Sequence, residues 1–204
     1  MQLIIITTDT FFLHEAIAIN TLFKEGLQTL HVRKPQSTKS ELEELINQID
    51  STYYANIVLH EHFELVRKYN LKGYHLNRRN PALPEIIDRK SSTISRSCHS
   101  FNELQEFAVC DYLFLSPIFD SVSKKGYRQA YLKEDLLYAK EKQWINNNVY
   151  ALGGITPYTL PLISNYNFGG AVVLGYLWSN YKEDKDLQSL LIRYKNLQSI
   201  IQTL

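Results

Sequence analysis

Short apolar runs alternate along the chain with longer stretches whose apolar residues recur at helical spacing. Residues 3–7 are β-branched and apolar at successive positions, the pattern of a strand covered on both faces. Residues 12–25, with Ile17, Leu22 and Phe23 among polar neighbours, predict a helix capped by Gly26. A second strand follows at 29–33. A helix follows at 37–51, with Leu42, Leu45, Ile46 and Ile49 on one face. Further strands are predicted at 56–59, 73–76, 93–97, 112–115, 149–152 and 171–174. Helices are predicted at 64–69, 101–108, 132–142 and 187–201, with a short one opening at Thr156-Pro157. Pro81 and Pro84 interrupt the stretch after the fourth strand, and 120–130 reads as a long polar loop.

Eight βα units run from end to end without a linker or a change of composition. Strict alternation suits either an open doubly wound sheet or a closed barrel, and eight units favour a single-domain (β/α)8 TIM barrel spanning 1–204. No G-x-G-x-x-G follows the first strand, so a dinucleotide fold has no support there.

Charge and composition narrow the function classes. With 204 residues, 45% of them hydrophobic, the chain can bury roughly 70% of its unfolded surface without staples. Lys+Arg 22 against Asp+Glu 21 leaves a net charge of +1, which gives no basic excess for nucleic acid. Cys98 and Cys110 lack metal spacing and a secretory context, so two reduced thiols in a cytoplasmic protein are expected. The apolar opening stops at Thr7. It is too short for a signal peptide or a membrane span, and no membrane partner is expected.

In a closed barrel, chemistry sits where strands run into loops. Five of the six histidines are expected at those ends, all but His14. Strand two brings His31, Arg33 and Lys34; strand three His60, Glu61 and His62; strand four His75, Asn77 and Asn80. Strand five brings Ser97 and His99, and strand six Ser116 with loop residues Ser121, Ser123, Lys124 and Lys125. Gly153-Gly154 closes strand seven, and Leu174-Gly175 closes strand eight. These two loops are the common phosphate site of such barrels, where glycine lets backbone N–H groups approach an anion. A tight turn would explain the glycines equally. Arg33 can fork onto a diphosphate or carboxylate, or pair with an acid such as Glu61. Lys124 can close over phosphate or stand in water.

Five segments in order carry a family resemblance. They are Leu30-His31-Val32-Arg33, Gly73-Tyr74-His75-Leu76, Arg96-Ser97-Cys98-His99-Ser100, the stretch from Asp111 to Lys124 with Ser116-Pro117-Ile118-Phe119, and Ala151-Leu152-Gly153-Gly154-Ile155. Together they resemble the thiamine phosphate synthase/TenI family over essentially the whole chain. The resemblance implies a (β/α)8 barrel, a homodimer and a role in thiamine biosynthesis. It further implies one of two reactions. A synthase joins hydroxymethylpyrimidine diphosphate to a thiazole phosphate with Mg2+ and releases pyrophosphate. A tautomerase moves a proton on a carboxythiazole phosphate without metal.

Carried over residue by residue, the resemblance places Arg33, His60 and Lys124 in the reaction. It places His31, Ser97, Ser121, Ser123, Gly153, Gly154, Leu174 and Gly175 on substrate or phosphate, and Glu61 on the metal. Pro35 stands where the synthase pattern has a lysine, Asn80 where it has a metal-binding aspartate, and Pro117 where the tautomerase pattern has its histidine. Among His31, His60, His62 and His75, His60 is the favoured proton-transfer group. Two other readings stand beside these. One is a metal hydrolase, with His60 and His62 facing the same way and no further His/Asp set at metal spacing. The other is a non-catalytic binder of thiamine phosphate or its precursors.

Overall fold

Ile4, Ile5 and Ile6 are each at most 3% exposed, as a strand sealed on both faces requires. They belong to β1 (Gln2–Ile6), the first of eight strands. The others are β2 (Leu30–Val32), β3 (Ile57–Leu59), β4 (Gly73–Leu76), β5 (Thr93–Cys98), β6 (Tyr112–Leu115), β7 (Val149–Leu152) and β8 (Gly170–Val173). Their order, β1-β2-β3-β4-β5-β6-β7-β8, is that of a closed barrel. The interposed helices are α1 (Glu15–Lys24), α2 (Lys39–Gln48), α3 (Glu64–Tyr69), α4 (Phe101–Glu106), α5 (Lys133–Glu141), α6 (Leu160–Ile163), α7 (Gly175–Trp178) and α8 (Leu187–Gln202). This computed structural model describes residues 1–204 apart from 86, 88, 90, 121–128, 180 and 182–184.

The residues fall into two compact units, one being Ile5–Ser95 and the other Met1–Ile4 with Arg96–Leu204. In the first, the parallel register runs Ile6↔His31, His31↔Val58 and Val58↔Gly73. Ala18, Ile19 and Leu22 of α1 and Leu42 and Ile46 of α2 are fully buried. Thr38 starts α2 with a capping box: its Oγ1 accepts from Glu41 N–H at 3.3 Å, and Glu41 Oε2 accepts from Thr38 N–H at 2.7 Å. Asn20 ties α1 to the end of α2 by donating to Gln48 O at 3.0 Å.

In the second unit, Leu113↔Val149 and Tyr150↔Gly170 set β6, β7 and β8 side by side. Leu190, Tyr194 and Leu197 bury one stripe of α8, where α6 and α7 pack. Asp186 caps α8 by accepting from Gln188 and Ser189 N–H groups.

Several local expectations shift. Helix α1 starts at Glu15 rather than 12, after His14 adopts a left-handed φ of 65°. Helix α2 ends at Gln48 rather than 51, and Ser51–Asn56 form a separate 3-10 turn begun by an Asp50 cap. Strand β8 ends at Val173, because Leu174 leaves the extended region (φ −132°, ψ −76°) to cap α7. Gly175 is therefore the first residue of α7 rather than a loop residue. No helix among the described residues is long and apolar enough to cross a membrane.

Candidate active site

Register alone brings three imidazoles together in the Ile5–Ser95 unit. His31 sits mid-β2, opposite Val58. The ladder continues past β3, where His60 N–H donates to Val32 O at 3.1 Å. The pairs Val58↔Gly73 and Leu59↔Tyr74 carry on to set His60 beside His75. Alternate strand residues share a face, so His31, His60 and His75 converge. The rings of His60 and His75 stack with centroids 4.1 Å apart, and His31 meets both edge-on at 5.2 and 5.1 Å. His31 Nδ1 and His60 Nε2 are 3.0 Å apart and share a hydrogen bond. His31 and His75 thus lie within strands rather than at the loop ends, a correction to the expected rim positions.

All three rings are buried. Burial holds His31 well below the ordinary histidine pKa, reinforced by His75 and Lys72. Burial does the same to His60, with His75, His31, Arg33 and Arg79 adding to it. Both are neutral imidazoles near pH 7. Ser95 Oγ lies 2.8 Å from His75 Nδ1 and 3.3 Å from Tyr74 O, and orients the His75 ring.

Above the histidines lies a charged layer. Arg33 is anchored through its backbone, its N–H donating to Thr7 Oγ1 at 2.9 Å. Its guanidinium has a loose ion pair to Asp9 at 3.9 Å and is about one quarter exposed. Burial and the nearby Arg79 pull its pKa down, while Asp9 and Glu61 oppose this. The ion pair weighed between Arg33 and Glu61 is not what forms. Glu61 instead accepts from Arg79 Nη2 at 2.8 Å and from Lys34 N–H at 2.9 Å. Lys34 does not replace the missing lysine at Pro35. Its ammonium points inward to Glu15 Oε1 and Oε2 (2.7 and 2.9 Å) and to the carbonyls of Thr8 and Thr10.

The metal expectation fares differently. Both Glu61 oxygens already accept hydrogen bonds. Asn80 turns its amide nitrogen to His60 O at 2.8 Å, and Asn77 donates to the same carbonyl at 3.3 Å. Mg2+ is usually held by one or two carboxylates together with substrate phosphates and water, and Glu61 is the carboxylate that stands at these strand ends. The donors that do converge are nitrogens. The hydrolase reading had His60 and His62 facing alike. His62 instead takes a φ of 52° and directs Nε2 to Ser37 O at 2.7 Å, while the residues that gather with His60 are His31 and His75.

In the other unit, Gly153 and Gly154 have φ of 102° and 64°. A Cβ at Gly154 would meet Asp120 O at 2.4 Å and Phe119 Cβ at 2.6 Å, so the turn itself demands glycine. Phe119 N–H donates to Gly153 O, and Pro117, which follows a cis bond, lies against Gly153. Ser97 is half-buried in β5. His99 Nδ1 lies 3.2 Å from Ser116 O. Arg96 stacks its guanidinium 3.7 Å over Phe107. Ser121, Ser123 and Lys124 lie outside the described residues. Sequence reasoning missed Arg79, Ser95 and Glu15. The Arg78-Arg79 pair just past a strand end was the one available signal, since Ser95 and Glu15 acquire meaning only through their partners.

Strand order and the polar groups gathered where β2, β3 and β4 end define a (β/α)8-barrel enzyme. The family described as thiamine monophosphate synthase matches residues 3–176, and the chain belongs to it. A solved thiamine phosphate pyrophosphorylase from Bacteroides thetaiotaomicron is 38% identical, with a TM-score of 0.90 over 99% of this chain and 98% of its own. The thiamine-phosphate synthase of Phocaeicola vulgatus is 25% identical over 86% of this chain and 88% of its own. That of Caldivirga maquilingensis is 27% identical over 84% and 86%.

Proposed function

We propose that this chain is a thiamine-phosphate synthase, joining hydroxymethylpyrimidine diphosphate to a thiazole phosphate and releasing pyrophosphate. The observation that carries this reading is the end-to-end likeness to the Bacteroides thetaiotaomicron pyrophosphorylase, at 38% identity with a TM-score of 0.90. The local chemistry supports it. Arg33 is a partly desolvated guanidinium with a second, Arg79, close enough to depress its pKa. Two such cations are relieved by an anion, and a diphosphate leaving group supplies one. Arg33 therefore binds and stabilises the departing diphosphate, while Glu61 aims Arg79. Mg2+ would be held by Glu61 with the substrate phosphates and water, a site weakened by Asn80, and would neutralise charge on the diphosphate. Lys124, with Ser121 and Ser123, is assigned to the phosphates on sequence.

The protein works as a cytoplasmic homodimer on small phosphorylated molecules. Two buried cysteines outside any disulfide suit a reducing compartment, and Leu13 before α1 and Ile17 on it, exposed by 68% and 53%, offer apolar surface for self-association.

The test is to supply the purified chain with both synthase substrates, with and without chelator, and in parallel with carboxythiazole phosphate. Thiamine phosphate appearing with stoichiometric pyrophosphate is expected. Isomerisation of carboxythiazole phosphate without synthase product would make the protein a tautomerase. Substrate binding without turnover in either assay would make it a binder.

A further inference from the structure

At the ends of β2, β3 and β4 the side-chain donors that converge are ring nitrogens. One ring nitrogen from each of His31, His60 and His75 lies within 4.8 Å of the others, and all three residues are buried. We propose that His31 Nδ1, His60 Nε2 and His75 Nε2 form a binding site for a borderline divalent transition ion of the Zn2+ or Co2+ type. The proposal goes beyond the synthase reading and does not depend on it.

Three features point to an ion rather than to plain packing. First, imidazole nitrogens suit zinc, cobalt, nickel and copper, whereas carboxylate and water suit magnesium. The three-histidine set is the donor set of zinc centres that keep a fourth position open. Second, the spacing is close to what such an ion requires. Ligand nitrogens at about 2.0–2.1 Å from a tetrahedral ion stand about 3.3 Å apart. His31 Nδ1 and His60 Nε2 are already 3.0 Å apart, and closing the set from within 4.8 Å requires the stacked His60 and His75 rings to swing out of parallel so that their lone pairs aim at one centre. Third, His75 is oriented as a metal-bound histidine usually is. Its Nδ1 lies 2.8 Å from Ser95 Oγ, the kind of outer contact that fixes the ring orientation of a metal-bound histidine.

Binding needs no redox partner and no net charge change on the rings. The hydrogen bond between His31 and His60 uses one N–H, and the ion needs a lone pair on both atoms. The donating ring takes its other tautomer, its proton moving to its second nitrogen. The fourth position is then left to water or an anion, with Arg33 and Arg79 near enough to influence His60.

The experiment uses the full-length protein, stripped with chelator and titrated with Co2+. One equivalent is expected to bind, with the intense visible bands of a low-coordinate Co2+–imidazole centre, and Zn2+ should displace it mole for mole. His75→Gln and His31→Gln should lose the bands while keeping the far-UV circular dichroism. Ser95→Ala should keep the bands but weaken affinity by about 10–100-fold. Absence of stoichiometric binding in the folded wild-type protein overturns the proposal, as does Co2+ affinity unchanged in His31→Gln. If the histidine variants fail to fold, unchanged affinity in Ser95→Ala overturns it.

Discussion

The ammonium of Lys34 lies 2.7 Å from Glu15 Oε1, and both side chains are shut off from water, at 0% and 2% exposure. The same ammonium is hydrogen-bonded to Thr8 O and Thr10 O and faces the Phe11 ring at 4.8 Å. A buried ion pair adds little over an apolar pair, but breaking it strands a charge. Lys34→Ala is expected to lower unfolding free energy by about 3–5 kcal/mol, and Lys34→Met with Glu15→Leu together by much less. Urea unfolding of the single and double variants checks this. An equal loss in both would show that packing, not the stranded charge, dominates.

Arg33 faces the reaction from a fixed backbone, held by Thr7. Its removal should cost transition-state stabilisation without unfolding the protein. Arg33→Ala is expected to lower kcat/KM for thiamine phosphate formation by roughly 30–150-fold, the equivalent of losing a charged hydrogen bond of roughly 2–3 kcal/mol. Arg33→Lys should recover only part of this, because an ammonium cannot fork. Full activity in Arg33→Ala would remove it from the diphosphate site.

The buried histidines make the metal-free protein acid-labile. His31 and His60 are held well below 6.5 when folded and return to about 6.5 when unfolded. The unfolded chain therefore binds protons first as pH falls. Stability present above 6.5 is lost below it, by up to about 1.4 kcal/mol per pH unit for each ring until the folded form also titrates. Denaturant midpoints of chelator-treated protein between pH 7.5 and 5 should fall. The fall should be shallower in His60→Asn. A pH-independent midpoint across that range would contradict neutral burial.

Cys98 is fully buried, and burial pushes its thiol up to about 12, with Glu103 adding to it. At pH 8 it is a protonated, inaccessible thiol. Labelling by an aromatic disulfide reagent should be slow in the native protein and fast in urea, tracking global unfolding. Rapid native labelling at Cys98 would refute its burial.

Gly154 combines a φ of 64° with backbone too close for any Cβ, Asp120 O lying 2.4 Å from where it would stand. Gly154→Ala should destabilise by about 1–3 kcal/mol from the strained conformation alone, before the clash is counted. A thermal melt checks this, and an unchanged midpoint would mean the turn can rearrange.

Much of the barrel could be read from residue order because each signal is local. Doubly apolar runs such as Leu3 to Ile6, and the stripe of Leu42, Leu45 and Ile46, declare strand and helix within a few residues. Eight repeats of that alternation leave few topologies, and the parallel pairings follow it. The family was likewise legible in ordered short segments, from Leu30-His31-Val32-Arg33 to Gly153-Gly154. Partnerships were not, because they join residues far apart in the chain. The sequence offered Glu61 for Arg33 or for a metal. The structure gives it to Arg79 and to the Lys34 N–H, and it hides Lys34 against Glu15. His31, His60 and His75 are 29 and 15 positions apart, and only the register of β2, β3 and β4 sets them ring against ring. Periodicity encodes which face of an element is buried. Which polar group meets which is decided by strand stagger and side-chain direction, and those exist only once the chain has closed on itself.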